Sequence, residues 1–188
     1  MRGNSLIFRL FDFSLSLILL FITLPLTIVI FIAIYLELGH PLFFQERVGL
    51  NAERFILIKF RTMKINTPLS PTHLIDSSYV TRLGRFLRRS KLDELPQLWN
   101  VLKGDMSLVG PRPGLPSHKE LFIERSNLKV FEVKPGITGL AQLSYIDMSD
   151  PKKLAETDAI MIRSLNLRLY IKYLFMTALG KGFGDNTA

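Results

Sequence analysis

No cysteine occurs in the 188 residues, which excludes disulfides and thiolate metal sites and is compatible with a reducing compartment. Histidine is scarce: His40, His73 and His118 fall in turn or loop contexts without metal-ligand spacing, and none is assigned a role. Internal repeats and nucleic-acid-binding motifs are also lacking. The most informative absence is of charge. From Phe13 to Leu36, 24 residues carry none, between Asp12 and Glu37. About 20 apolar residues suffice to cross a bilayer core as a helix, so this segment meets a membrane. A cleaved signal peptide does not fit, because the run exceeds the usual ~7–15 residues and no small-x-small site follows it.

Pro25 sits in the middle of that run, where a proline removes one helical hydrogen bond and forces a bend, and Thr23 is placed to satisfy a freed carbonyl. At 1.5 Å per residue each half is roughly 17–18 Å long, so a bent helix can enter and leave by one face. A spanning helix with a proline kink fits the same residues. Flanking cations favour the re-entrant form: Arg2 and Arg9 precede the run, and Arg47, Arg54, Lys59, Arg61 and Lys64 follow it, so both ends read as cytoplasmic.

The remaining residues suit one domain. Residues 1–38 read as the membrane helix and 39–188 as a compact cytosolic domain at the membrane surface, mainly α with small β elements. The formal charge of +8 and pI near 9.9 fit anionic partners: nucleic acid, lipid headgroups or a phosphorylated substrate. Gly39-His40-Pro41 signals a turn before two short apolar runs, from Leu42 and from Phe55 to Phe60, that read as strands or short helices. Residues 66–78 read as a loop able to act as a lid. Leu83 to Arg89 is basic and amphipathic, with Arg82, Arg85, Arg88, Arg89 and Lys91 beside Leu83, Phe86 and Leu87. Pro96 opens a helix that Gly104 closes, with a core face of Leu95, Leu98, Trp99 and Leu102. Leu167, Tyr170, Ile171, Leu174, Phe175 and Ala178 mark a final amphipathic helix, flanked by Arg163, Arg168, Lys172 and Lys181, that suits anionic lipid or a protein core.

Three features bear on chemistry: the pair Asp93-Glu94, the cations before it, and the stiff loop Gly110-Pro111-Arg112-Pro113-Gly114. Singly they read as a helix cap, a solvated face and a turn. Together they match phosphoryl transfer, which needs a nucleophile, cations for phosphate charge and a divalent metal. A carboxylate at a helix start has oxygens for either metal or phosphorus, and Arg112, held between prolines, has a fixed origin for bidentate phosphate binding.

Over roughly residues 5–180 the chain resembles the bacterial sugar transferases, the monotopic phosphoglycosyl transferases that act on polyprenol phosphate. The resemblance is carried by Pro41-Leu42-Phe43-Phe44-Gln45-Glu46-Arg47-Val48-Gly49, Lys59-Phe60-Arg61-Thr62-Met63 and the run from Thr81 to Arg89. It continues through the long block from Leu92 to Pro113 and through Val133-Lys134-Pro135-Gly136-Ile137-Thr138-Gly139.

The resemblance implies transfer of a sugar 1-phosphate from a UDP-sugar, an N-acetylated hexosamine or a deoxy or diacetamido derivative, to undecaprenyl phosphate, with release of UMP. This would be the first membrane step in building an O-antigen, capsule, exopolysaccharide or glycoprotein glycan. Asp93 would carry the phosphosugar covalently, and Glu94 would support the metal or assist the second attack. Mg2+ would sit near Asp93, Glu94 and the diphosphate, while Arg112, Arg88, Lys59, Pro111 and Asp158 would serve the phosphates or nucleotide. The family topology is a helix broken near Pro25 that dips into the inner membrane from its cytoplasmic face. Membrane lipids and a homodimer are the other expected partners, and nucleic acid is not. This sequence departs from the family in three places: Asp158 is followed by Ala159 and Ile160 instead of aromatics, the acidic position expected near Tyr170 is not acidic here, and Gln142-Leu143-Ser144-Tyr145 lacks Asn-Gly. The competing reading is a membrane-anchored basic protein that binds anionic lipid or nucleic acid without catalysis.

Overall fold

The computed structural model describes residues 6–67 and 77–182, so most of the segment read as a lid lies outside the described residues. It opens with helix α1, Leu6–Leu38. α1 stays helical through Pro25. Thr23 Oγ1 donates to the carbonyl of Leu19 at 2.7 Å, not to that of Phe21, which the proline ring deprives of its usual donor.

Both ends of α1 pack on the rest of the chain, and its middle does not. Phe8, Asp12 and Ser16, one turn apart, are buried near the start, and Ile30 and Ile34 near the end. Arg9 donates to the carbonyls of Val101 (2.6 Å) and Leu102 (2.7 Å). Glu37 accepts from Thr81 Oγ1 at 3.1 Å. Phe21, Ile22 and Val29, in between, are about two-thirds exposed.

The two short apolar runs are strands. β1, Leu42–Val48, pairs antiparallel with β2, Arg54–Phe60, in the register Leu42↔Phe60 to Val48↔Arg54. Helix α2, Arg82–Ser90, starts on Thr81, whose hydroxyl accepts from the Gly84 amide at 2.9 Å. Gly84 has to be glycine, because a Cβ there would run into the backbone of Thr62. Helix α3, Gln97–Lys103, ends on Gly104 at φ 100°. Its Asn100 is almost fully buried and serves as a surrogate strand edge: the side-chain amide donates to Ile56 O (2.7 Å) and accepts from Ile58 N (3.0 Å), fixing β2 against α3.

β3, Ser107–Val109, pairs parallel with β4, Gly136–Thr138; between them lies α4, Lys119–Asn127. The single turn α5, Leu140–Leu143, then leads into α6, Pro151–Ser164, and α7, Leu167–Ala178. One core cluster joins Phe8 of α1 to Leu57, Leu98, Val101, Met106, Leu108, Met161, Tyr170 and Tyr173, so the start of the apolar helix is part of the main core. A second joins Ile30 and Ile34 to Phe60 and Leu87. The fold is mainly α with small sheets, as expected.

One predicted core face differs, and in α7 the structure decides what the sequence left open between core and lipid. Trp99 is 56% exposed, and Val101 takes its place inside. In α7, Tyr170 and Tyr173 point inward while Leu167, Ile171, Phe175 and Leu179 form an exposed apolar stripe. The tyrosines win the inward face because a buried acceptor, Asp12, meets the Tyr170 hydroxyl.

Candidate active site

Asp93 and Glu94 do not occupy the first turn of α3. They form a separate 3-10 turn, Leu92–Glu94, entered from Lys91 in the left-handed region at φ 58°. Pro96 accounts for this: it has no N–H to give the Leu92 carbonyl, so the Leu95 amide takes that carbonyl (3.3 Å) and the chain enters α3 through tighter turns. Asp93 is 1% exposed and Glu94 8%. Arg112 Nη2 lies 3.4 Å from Glu94 Oε1, joining the stiff loop to the carboxylate pair.

A small, open cleft lies at this point, and Arg47, Lys59, Glu94, Gln97, Arg112 and Ile137 are among its lining residues. Of the residues predicted from sequence, Lys59, Glu94 and Arg112 come together on its wall. Asp93, next to Glu94, is not on the wall. Arg88 is not among the cleft's lining residues; it is buried, with Nε donating to Thr62 Oγ1 at 2.9 Å. Pro111 serves the backbone, its carbonyl accepting from Gly136 N at 2.9 Å. Asp158 is 1% exposed in α6 and paired with Arg125 Nη2 at 2.7 Å. Burial pushes the Asp158 carboxyl above the usual carboxylate range, and the Arg125 guanidinium opposes that shift.

Sequence reasoning missed four contributors. Arg47 and Gln97 line the cleft. The signal for Arg47 is its place at the end of β1, where burial alternates before the strand closes. Arg125 shares a buried face of α4 with Leu121, four residues earlier. Lys91 lies close enough to the site for its charges to act on it. Burial pushes its ammonium below the usual lysine range, with Glu94 opposing and Arg112 adding to the shift. Arg47, Lys59, Arg88 and Arg125 are each less than a tenth exposed, which is not how a solvated basic face is built.

Three glycines let the backbone close around the arginine loop. Gly110 sits where a Cβ would lie 2.5 Å from Lys134 O and 2.7 Å from Gly136 N. A Cβ on Gly136 or Gly139 would collide in turn with Gly110. This explains the glycines of Lys134-Pro135-Gly136-Ile137-Thr138-Gly139: β4 touches β3 backbone to backbone, just where the loop begins.

Asp12, which the sequence presents as the border of the apolar run, is 2% exposed and belongs to the same scaffold. Its Oδ1 accepts from the Leu108 amide at 2.9 Å and from the Tyr170 hydroxyl. The Tyr170 phenol on α7 thus reaches an acid on another helix. Among the described residues no group of three His, Asp or Glu side chains forms a ready metal cage. Two adjacent carboxylates are nevertheless the donor set that Mg2+ takes when substrate phosphates and water complete its shell.

The model of the bacterial sugar transferases matches residues 3–181. The uncharacterized sugar transferase EpsL of Bacillus subtilis is 39% identical over 90% of this chain and 84% of its own. The UDP-glucose:undecaprenyl-phosphate glucose-1-phosphate transferase of Escherichia coli is 37% identical over 98% of this chain, but only 42% of its own length is covered. A second Bacillus subtilis protein, provisionally named an undecaprenyl-phosphate N-acetylgalactosaminyl 1-phosphate transferase, is 47% identical over 61% of this chain and 65% of its own. The match to EpsL nearly end to end, together with the family model across almost every residue, settles the assignment: the chain belongs to the bacterial sugar transferase family.

Proposed function

We propose that this chain is a phosphoglycosyl transferase that moves a sugar 1-phosphate from a UDP-sugar to undecaprenyl phosphate. The observation that carries the reading is the convergence of Arg47, Lys59 and Arg112 with Glu94 on one cleft, beside Asp93. Three cations facing a carboxylate pair suit a diphosphate, whose oxygens need neutralising as charge redistributes. The names of the relatives support the acceptor, and the one named for N-acetylgalactosamine supports an N-acetylated hexosamine as the sugar.

In the first step a carboxylate oxygen of Asp93 bonds to the β-phosphorus, and the bond from that phosphorus to the bridging oxygen breaks. UMP departs with the electron pair. An oxygen of undecaprenyl phosphate then bonds to the same phosphorus, and the Asp93 carboxylate is released. The cleft reaches Glu94 and not Asp93, so the transfer requires the single turn carrying both to present Asp93 to the phosphate. Mg2+ held by Asp93, Glu94 and the phosphates would neutralise diphosphate charge.

Incubated with Mg2+ and a panel of UDP-sugars, purified protein is expected to release UMP and, without acceptor, to retain labelled phosphosugar on Asp93. Normal turnover by Asp93→Asn would refute the covalent step.

The membrane topology proposed is monotopic, with both ends of α1 on the cytoplasmic face. At 1.5 Å per residue 33 residues extend about 50 Å, more than the ~30 Å of a bilayer core. A spanning helix would carry its ends to opposite faces, whereas Asp12 and Ile34 both pack on the one catalytic domain. The exposed stripe of Leu167, Ile171, Phe175 and Leu179 supports an interfacial position for α7. The chain has no native cysteine, so Leu6→Cys and Phe44→Cys, both at exposed positions, report directly. Labelling of both from the cytoplasmic side alone is expected; labelling from opposite sides would restore the spanning helix.

A further inference from the structure

The loop that carries Arg112 is anchored in an unusual direction. Pro111 and Pro113 have no N–H to donate, so the main chain there can be held mainly through its carbonyls. Four in succession are held. Pro111 O accepts from Gly136 N at 2.9 Å and Gly114 O from Val48 N at 3.0 Å. Between them, Arg112 O accepts from Arg125 Nη1 at 2.8 Å and Pro113 O from Arg47 Nη1 at 3.0 Å. The outer two donors are backbone amides; the inner two are guanidinium groups of buried arginines.

Arg125 is itself held from behind. Its Nε and Nη2 donate to Asp158 Oδ2 at 3.1 and 2.7 Å, leaving Nη1 for Arg112. The three bonds share one rigid plane, so the position of the Arg112 carbonyl is set by α6 acting through α4. The Arg112 guanidinium, 3.4 Å from Glu94, lies at the far end of that chain. We propose that Arg125 and Asp158 are positioning residues for Arg112: the buried pair fixes the main chain of the loop and so aims the Arg112 side chain at Glu94 and the cleft. Asp158 acts from inside the protein and does not touch the nucleotide. The inference rests on the reading of Arg112 as a phosphate-binding group in the transfer.

Removing both charges together tests this without stranding either one. A buried ion pair replaced by apolar side chains of similar volume often leaves stability unchanged or raised. The Arg125→Met/Asp158→Leu protein is therefore expected to melt near wild type while kcat for UMP release falls ~10–100-fold, the scale of a displacement near 1 Å at a reacting centre. KM should change much less. In an Arg112→Ala background the same pair of substitutions should cost little further. Arg125→Lys keeps a charge for Asp158 but has no planar fork to reach the Arg112 carbonyl, so its kcat should fall in the same way; this variant also serves if the double variant does not fold. Hydrogen exchange of a peptide over residues 107–116 supplies a readout independent of activity, and faster exchange is expected there with α4 and α6 still protected.

Unchanged kcat in the double variant, rescue by Arg125→Lys, a full further loss in the Arg112→Ala background, or unchanged exchange over 107–116 would each overturn the proposal. A wild-type protein that releases no UMP from any UDP-sugar would overturn the functional reading instead, and the exchange experiment would still judge whether the pair holds the loop.

Discussion

Gly110→Ala places one methyl group at the point where β3 meets β4, and its cost can be worked from distances. The new Cβ would lie 2.5 Å from Lys134 O, where 3.4 Å is the near limit of ordinary contact, a shortfall of 0.9 Å against backbone that has no rotamer to change. If the strands hold, the strain is that of overpacking, about 1–3 kcal/mol. If they part, the bonds from Gly110 N to Thr138 O (2.8 Å) and from Gly136 N to Pro111 O (2.9 Å) are stretched out of range. At ~1 kcal/mol each, their loss comes to about 2 kcal/mol. Both routes agree on a loss near 2 kcal/mol, or a Tm about 6 °C lower for a chain of this size. Arg112 is two residues on, so a shift approaching 1 Å reaches the cleft and should reduce kcat ~100-fold. Thermal melts in detergent and UMP release measure the two effects. Gly39→Ala is the control: it sits at φ 74° with nothing within 4 Å, so it should cost only the ~1–2 kcal/mol of left-handed backbone and leave kcat alone. A Gly110→Ala protein with wild-type melting and turnover would refute the claim that the glycines set the loop; lower Tm with normal kcat would refute the link from loop to catalysis.

Asp12→Ala leaves the buried Leu108 amide and Tyr170 hydroxyl without their carboxylate and should cost about 3 kcal/mol; Asp12→Asn, which keeps one acceptor, should cost less, as paired melts would show. The Tyr170 phenol ionises well above its usual range because it is buried and faces Asp12, so the folded state keeps a proton that the unfolded state gives up above pH ~10. Stability should therefore be unaffected by this group below pH 10 and fall above it by at most ~1.4 kcal/mol per pH unit, and Tyr170→Phe should flatten the decline. Equal slopes from pH 9 to 11 in the two proteins would remove Tyr170 as the cause.

How far the sequence could be read depended on what each face of an element meets. Hydrophobic period locates a buried face when the other face is wet. Here the fold carries exposed apolar side chains on α3 and α7, so Trp99 reads as core though it lies outside it, and the period alone leaves Leu167, Ile171 and Phe175 open between core and lipid. The same limit made β1 and β2 ambiguous as short runs, whereas local chemistry located a helix end correctly: Gly104 ends α3. Charge misled in the opposite direction. Asp12 looked like the edge of the apolar run because a carboxylate is ordinarily exposed; it is buried because its partners come from 96 and 158 residues away, and one sequence has no means of pairing them. Asp158 and Arg125, 33 residues apart, present the same problem. The carboxylate pair was legible from composition, but its setting was not. Pro96 was read as opening α3, which implies that Asp93 is held ionised by the dipole of that helix. The missing N–H of that same proline instead separates the pair into a turn of its own, so the nucleophile proposed at Asp93 sits outside the first turn of α3, to which a helix dipole's effect is largely confined.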